Sequence, residues 1–506
     1  MAAFPRVHSK PGLTLENARR LLVIRSFRSS FPIGIALAGI ALWLTPAATL
    51  AQDDADETVT RFLTAQRTDF EEVALRIWDW AEVGYQEERS SGLLQEQLTN
   101  GGFRVDAGVA GMPTGFIAEW GDGGPVIGIL AEFDALPGIS QAAVPEPLER
   151  EGIGSAHACG HHLFGAGSVA AGLAVRDWLE RSGTPGRIRV YGTPAEEGGA
   201  GKVYMVREGL FGDVDAVLAW HPGDRNDASP GDSLANLSAK FRFRGVSAHA
   251  AGAPEQGRSA LDGVEAMNFM VNLLREHVHE RSRIHYVITR GGEAPNVVPN
   301  FAEVYYYNRH PEVAVARANW ERILNIAGAA ALGTGTTVEH EIIHGLYNLL
   351  PNETIGRLLF DNLNAVGGFA YTEEEREFAE AIQEHLLNPR PIGSQEEVMP
   401  WKRTPAGGST DVADVSWVVP TAQFRTATWV PGTPAHSWQA VACGGMSIGL
   451  KGMLIAAQVL ARTAADLIQS PDELVAARAE LDAARGPNFV YEPLLGDRPP
   501  PLDYRR

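Results

Sequence analysis

The sequence predicts an α/β protein built on a mixed, mostly parallel sheet and interrupted by an α+β insert. Between residues 126 and 220, short apolar runs alternate with helical stretches at strand–helix–strand spacing. Between 236 and 350 the pattern changes to period-two strands around an amphipathic helix, which marks a sheet with one solvated face. A chain of 506 residues is long enough to build two such cores.

Taken in order, residues 58–100 read as helix, with Phe70, Val73, Ile77, Leu94 and Leu98 among the apolar positions. Val126–Leu130 is a continuous apolar run and reads as a buried strand. Phe164–Leu179 is a Gly/Ala-rich helix, and Ile188–Gly192 and Val214–Trp220 are further strands. Ser238–Arg244 alternates cleanly and Ala302–Tyr307 more loosely, with helical spacing from Ser259 to His279 between them. Helices return after Pro351, Val418–Phe424 reads as a strand, and Met446–Ile468 as a long closing helix. The tail, with Pro499-Pro500-Pro501, reads as a surface extension. The expected organisation is therefore a signal over 1–51, a catalytic domain in two parts (52–235 and 351–470), an insert at 236–350 and an extension at 471–506.

The N-terminal expectation comes from Ile33–Leu44, an apolar run too short for the roughly 20 residues of a membrane span. Arg19, Arg20, Arg25 and Arg28 precede it and Thr49-Leu50-Ala51 follows. That pattern predicts an export signal cut after Ala51, placing the mature protein in the periplasm or outside the cell with no stable membrane insertion. An uncleaved anchor is the alternative. Charge excludes one class of partner: 62 acidic against 43 basic residues, a net −19, disfavours nucleic acid. Two cysteines cannot form a disulfide scaffold.

Five motifs carry chemistry, each at or near an expected strand end, where α/β sheets place function. Asp134 follows the strand ending at Leu130 and is placed to hold a histidine. His157-Ala158-Cys159-Gly160-His161-His162 brings a thiol and imidazoles together, good ligands for zinc and similar ions. In Ala195-Glu196-Glu197, neighbouring carboxylates on extended chain point opposite ways, so one can bind metal while the other takes a proton from water. His221 ends an apolar strand, and His436 lies in the loop Gly432-Thr433-Pro434-Ala435-His436. Each motif alone has a plainer reading: a turn Asp, a polar helix cap, a solvated Glu pair, a core His, a loop His. Together, Cys159, His161, Glu197, His221 and His436 supply five ligands, enough for two divalent ions sharing one bridging group and activating a water for Glu196.

Together with Gly245-Val246-Ser247-Ala248-His249 and Gly408-Ser409-Thr410-Asp411, these motifs resemble the amidohydrolase branch of the dinuclear-metal aminoacylase and glutamate carboxypeptidase family. The resemblance implies a two-domain metallopeptidase-like fold whose insert serves as lid and dimerisation domain. It implies Cys159 as the bridging ligand, with His161 and His221 completing one site and Glu197 and His436 the other. Zinc and manganese are the ions expected. It further implies Glu196 as general base, Asp134 behind the metal site, His249 reaching a partner's active site, and Asn296 contacting substrate. Arg309 is added as a candidate for a substrate carboxylate, against a plain surface arginine. His162 departs from the pattern, standing where the family commonly has Asp or Asn.

The expected function is metal-dependent hydrolysis of an N-acyl or N-aroyl amino acid amide, or of a dipeptide. The substrate is a small molecule, and the expected assembly is a homodimer, with a further hydrolase chain as another candidate partner. Two alternatives stand beside it: a non-catalytic or obligately partnered chain of a two-chain enzyme, and a Cys159–Cys443 disulfide that would remove the bridging thiolate.

Overall fold

The computed structural model describes residues 54–403, 405 and 407–505; the expected export signal lies outside them. Six strands form the larger sheet, lying side by side as Arg104–Ala107, Phe116–Asp122, Gly186–Gly192, Val126–Ala131, Ala216–Gly223 and Thr421–Ala427. The last four run parallel and the first two are antiparallel additions at one edge. The sheet is therefore mixed and mostly parallel. Val126–Ala131 is buried at every position, as its unbroken apolar run requires of a strand covered on both faces.

The helix His161–Ser182 is buried on nearly all sides because it lies between this sheet and other helices, so its Gly/Ala-rich sequence allows close approach. Gly172 shows the need: a Cβ there would come within 2.5 Å of Val190. Ser447–Gln469 packs against the same helix. It is apolar and long enough to cross a bilayer, yet 78% of its apolar window is buried inside the protein.

A second, antiparallel sheet runs Thr337–Leu346, Ala235–Arg244, Phe301–His310 and Arg283–Arg290. Ala302, Val304 and Tyr306 point to one face, where they pack with Phe241, Phe243, Met267 and Trp320 into a separate core. The helices Ala260–Leu274 and Val313–Thr334 cover that face. Ser259 caps the first of them by accepting from the Asp262 N–H at 3.1 Å.

The segment after Pro471–Arg485 is more than a surface extension. It crosses between the two cores, burying Leu494 in the insert core and Leu495 in the larger one. No pattern announces this, because the apolar residues are isolated among prolines and charges.

Candidate metal centre

The parallel strands deliver their following loops to one end of the sheet, and the five motifs converge there. Cys159, His161 and His221 form one group whose ligand atoms all lie within 4.8 Å of one another; Cys159, Glu197 and His436 form a second. Cys159 belongs to both. The two groups of potential ligands therefore share one thiol.

Local chain conformation places these groups. Gly160, between Cys159 and His161, has φ +79°, and a Cβ there would lie 2.6 Å from the Pro222 side chain, so only glycine lets the two ligands turn inward together. Beyond Gly192, the loop carrying Glu196 and Glu197 includes two left-handed alanines, Ala195 (φ 57°) and Ala200 (φ 58°). Such conformations cost on the order of 1 kcal/mol or more each and persist only where the surroundings over-determine them. Here Glu87 accepts from the Ala195 N–H at 2.9 Å, and Tyr85 donates to the Gly199 carbonyl at 2.8 Å. His436 is left-handed too (φ 60°), its N–H donating to the Ala158 carbonyl at 2.8 Å.

Asp134 accepts from His161 Nδ1 at 2.9 Å, and its other oxygen accepts from the Glu197 N–H at 2.9 Å. Donation from Nδ1 leaves His161 Nε2 as the lone-pair atom that a metal needs. That Nε2 lies 3.1 Å from Glu132 Oε2, yet neither atom makes a hydrogen bond. At the second group, His436 Nε2 is 3.0 Å from Glu197 Oε1. Buried acceptors without partners are costly unless a cation completes them. Thiolate, imidazole and carboxylate together are the donor set of zinc and related ions, so these residues fit the expected pair of metals.

Electrostatics agree. Burial pushes the Cys159 thiol up, but His221 and His161 outweigh it and hold the group well below its usual range. Burial opposes the charge on His161, and Glu132 and Asp134 override it, so a metal at Nε2 would displace a proton held there. Burial, then Glu132, Glu197 and Asp411, hold the Glu196 carboxyl well above its usual range, which suits a group that collects and returns a proton.

Both cysteines are free thiols, so the structure does not contain the alternative Cys159–Cys443 disulfide. His162 Nε2 donates to the Gly444 carbonyl at 3.0 Å, outside the two ligand groups. His249 lies on an exposed loop of the insert, its Nδ1 accepting from the Ala251 and Gly252 N–H groups. A β-bridge from His249 to Val297 puts exposed Asn296 beside it. His249 does not join the ligand groups within this chain. Arg309 sits on the strand Phe301–His310, its guanidinium over the Tyr307 ring at 5.0 Å and its buried Nε without a hydrogen bond.

Residues not expected from the sequence stand behind the centre. Lys202, fully buried, pairs with Glu132 at 2.7 Å and Asp411 at 2.6 Å. Glu132, His161 and Glu196 form a third group of potential ligands, so Glu132 belongs to the site. Its place two residues before Asp134 at a strand end was the available signal.

The sequence matches the family described as Peptidase family M20/M25/M40 over residues 128–465. The chain belongs to this family. M20 membership agrees with the motif resemblance and makes the protein a hydrolase acting on amide bonds. It is 41% identical over 433 residues to one of the two p-aminobenzoyl-glutamate hydrolase subunits of Escherichia coli, covering 80% of this chain and 90% of that one. It is 32% identical to the Xaa-Arg dipeptidase of Mus musculus, covering 80% and 86%. Among solved structures, the aminobenzoyl-glutamate utilization protein of Klebsiella pneumoniae aligns with TM-score 0.57 at 20% identity, over 82% of this chain and 98% of that one. A dinuclear metal-binding M20 peptidase of Bacillus subtilis aligns with TM-score 0.55 at 18% identity, over 80% and 99%. At those identities the likeness speaks for the M20 fold alone.

Proposed function

We propose that this M20 hydrolase cleaves the amide bond of an N-acyl or N-aroyl amino acid, with p-aminobenzoyl-glutamate and similar compounds as the first candidates and dipeptides as the next. The observation that carries this reading is Glu196 beside two ligand groups that share Cys159. The identity to the Escherichia coli p-aminobenzoyl-glutamate hydrolase chain supports the substrate class.

Cys159, His161, His221, Glu197 and His436 would hold two divalent ions, zinc or manganese, whose bound charge would polarise the scissile carbonyl and make water more acidic. Glu196 takes the proton as that water attacks, then gives it to the departing amine. Asp134 keeps His161 and Glu197 aimed. Arg309, with its unpaired Nε, binds a substrate carboxylate. His249 and Asn296, exposed together, approach the substrate from the insert of a second protomer, where His249 stabilises the oxyanion.

A homodimer is supported by the free edge of the insert sheet, where Val287 and Ile288 are exposed, and by Phe269, exposed by 66% on the adjoining helix. Both of the differently named p-aminobenzoyl-glutamate hydrolase subunits of Escherichia coli are relatives of this chain, which supports a second, non-identical hydrolase chain as a further partner.

The purified, metal-loaded chain alone should hydrolyse at least one of p-aminobenzoyl-glutamate, an N-acyl amino acid or a dipeptide. Glu196→Gln should keep its metal content and lose turnover by at least about 100-fold, in line with general acid–base catalysis. Retained turnover in that variant would remove Glu196 from its role. No hydrolysis by the chain alone would favour the obligately partnered reading.

A further inference from the structure

The segment 486–505 ends its course at the metal centre. Tyr491 donates to Asp414 at 2.7 Å, the Glu492 carbonyl accepts from Tyr347 at 3.0 Å, and Arg498 donates to the Ile342 carbonyl. Farther on, Arg207 holds the Arg498 carbonyl at 2.7 Å and Gln86 the Leu502 carbonyl at 2.7 Å. Tyr504 then enters a seat made for it. Its ring meets Tyr85 edge-on at 5.7 Å, and its hydroxyl occupies space that a Cβ on Gly84 would invade at 2.3 Å. From that seat Arg505 Nη2 donates to the Glu197 carbonyl at 2.5 Å, and the Tyr504 hydroxyl to the same oxygen at 3.3 Å.

The Glu197 peptide is thus gripped from both directions: its N–H by Asp134 and its carbonyl by Arg505 and Tyr504. This is the residue that needs outside help. Cys159 and His161 are fixed at the start of a buried helix and His221 by a strand, whereas Glu197 rides on the loop with left-handed Ala195 and Ala200. Its partner His436 is the open side of the centre, with 54% of its side chain exposed.

We infer that Arg505 is a positioning residue for Glu197, its guanidinium holding the backbone carbonyl so that the carboxylate stays aimed at Cys159 and His436. The inference deepens the proposed reading of Glu197 as a metal ligand and rests on it. A charge-assisted hydrogen bond to a carbonyl is the stronger kind, and the planar fork of Arg is not reproduced by Lys. Removing it therefore loosens the Glu197–His436 ion and leaves the Cys159–His161–His221 ion in place.

The test uses the full chain as wild type, Arg505→Ala and Arg505→Lys, with zinc as the probe. In metal-free protein, hydrogen exchange of the peptide spanning residues 195–200 should speed up at least tenfold in Arg505→Ala, with the helix His161–Ser182 unchanged. In zinc-loaded protein, one of two ions should pass to a chelator at least tenfold faster, with the thermal midpoint of the metal-free protein unmoved. Arg505→Lys should fall between, and added ethylguanidinium should slow the faster release in Arg505→Ala. Unchanged loop exchange in Arg505→Ala would overturn the inference whatever the metal content. Wild-type protein that takes up fewer than two zinc ions would instead overturn the two-ion reading, while the exchange result still decides the role of Arg505.

Discussion

Lys202 Nζ lies 2.7 Å from Glu132 Oε1, with neither side chain reaching solvent, and Asp411 closes the set from the other side at 2.6 Å. One cation between two buried carboxylates is stable only while all three are present. Breaking such a set by removing one partner typically costs about 3–5 kcal/mol, because the remaining charges stay buried and uncompensated.

Lys202→Met should therefore destabilise the protein by roughly 3–5 kcal/mol, read from the urea midpoint of metal-free protein. Adding Glu132→Gln to that variant removes one uncompensated charge, so the double variant should recover part of the loss. Equal stability of wild type and Lys202→Met would show that the buried set contributes nothing net.

Asp134 joins the two ligand groups, holding His161 with one oxygen and the Glu197 backbone with the other. Asn at this position can accept at one atom only and leaves the second contact without an acceptor. Loss of a hydrogen-bond partner behind a ligand typically weakens metal binding about 10–100-fold. Asp134→Asn should fall in that range by chelator competition, with both sites affected. A loss confined to one ion would mean that only one of the two contacts matters.

Some of these residues disclose themselves in the sequence and others do not, for physical reasons. Glu197 and His221 sit at or just past the ends of parallel strands, and Cys159, His161 and His436 lie in short motifs on the loops that follow such strands, whose buried apolar runs fix where they end. The parallel sheet then gathers those ends with no further information. The antiparallel insert was equally legible, because Ser238–Arg244 alternates and that alternation fixes which of its residues face the core when it pairs with Phe301–His310. Lys202 was not legible. Its burial depends on carboxylates 70 residues before and 209 after it, and a lone Lys on a helix looks like a solvated one. Arg505 and Tyr504 were hidden for the same reason: a proline-rich tail has no periodicity to say which face it lies against. His249 and Asn296 were named from family resemblance, and the fold adds that they sit together on one exposed loop pair.

Asp414 supplies a prediction about pH away from the metal ligands. It accepts from the Tyr347 N–H at 3.1 Å and the Tyr491 hydroxyl at 2.7 Å, yet burial outweighs both and pushes its carboxyl up to about 7. The unfolded value is roughly 3.9. Below about pH 4 both states hold the proton and the fold keeps its full stability. Between about 4 and 7 the unfolded chain releases the proton while the fold retains it, so stability falls as pH rises; above 7 the loss is complete. Asn is a permanent stand-in for the neutral acid: its carbonyl can accept from Tyr347, and its amide can donate to a turned Tyr491 hydroxyl. Asp414→Asn should match wild type near pH 4 and exceed it by about 1–3 kcal/mol at pH 8, less than the full linkage of roughly three pKa units because the amide fits imperfectly. Urea unfolding of both proteins across that range reads the difference directly. A gap that stays constant from pH 4 to 8 would mean that Asp414 ionises alike in the folded and unfolded chains, and that burial at this position is relieved by its two donors.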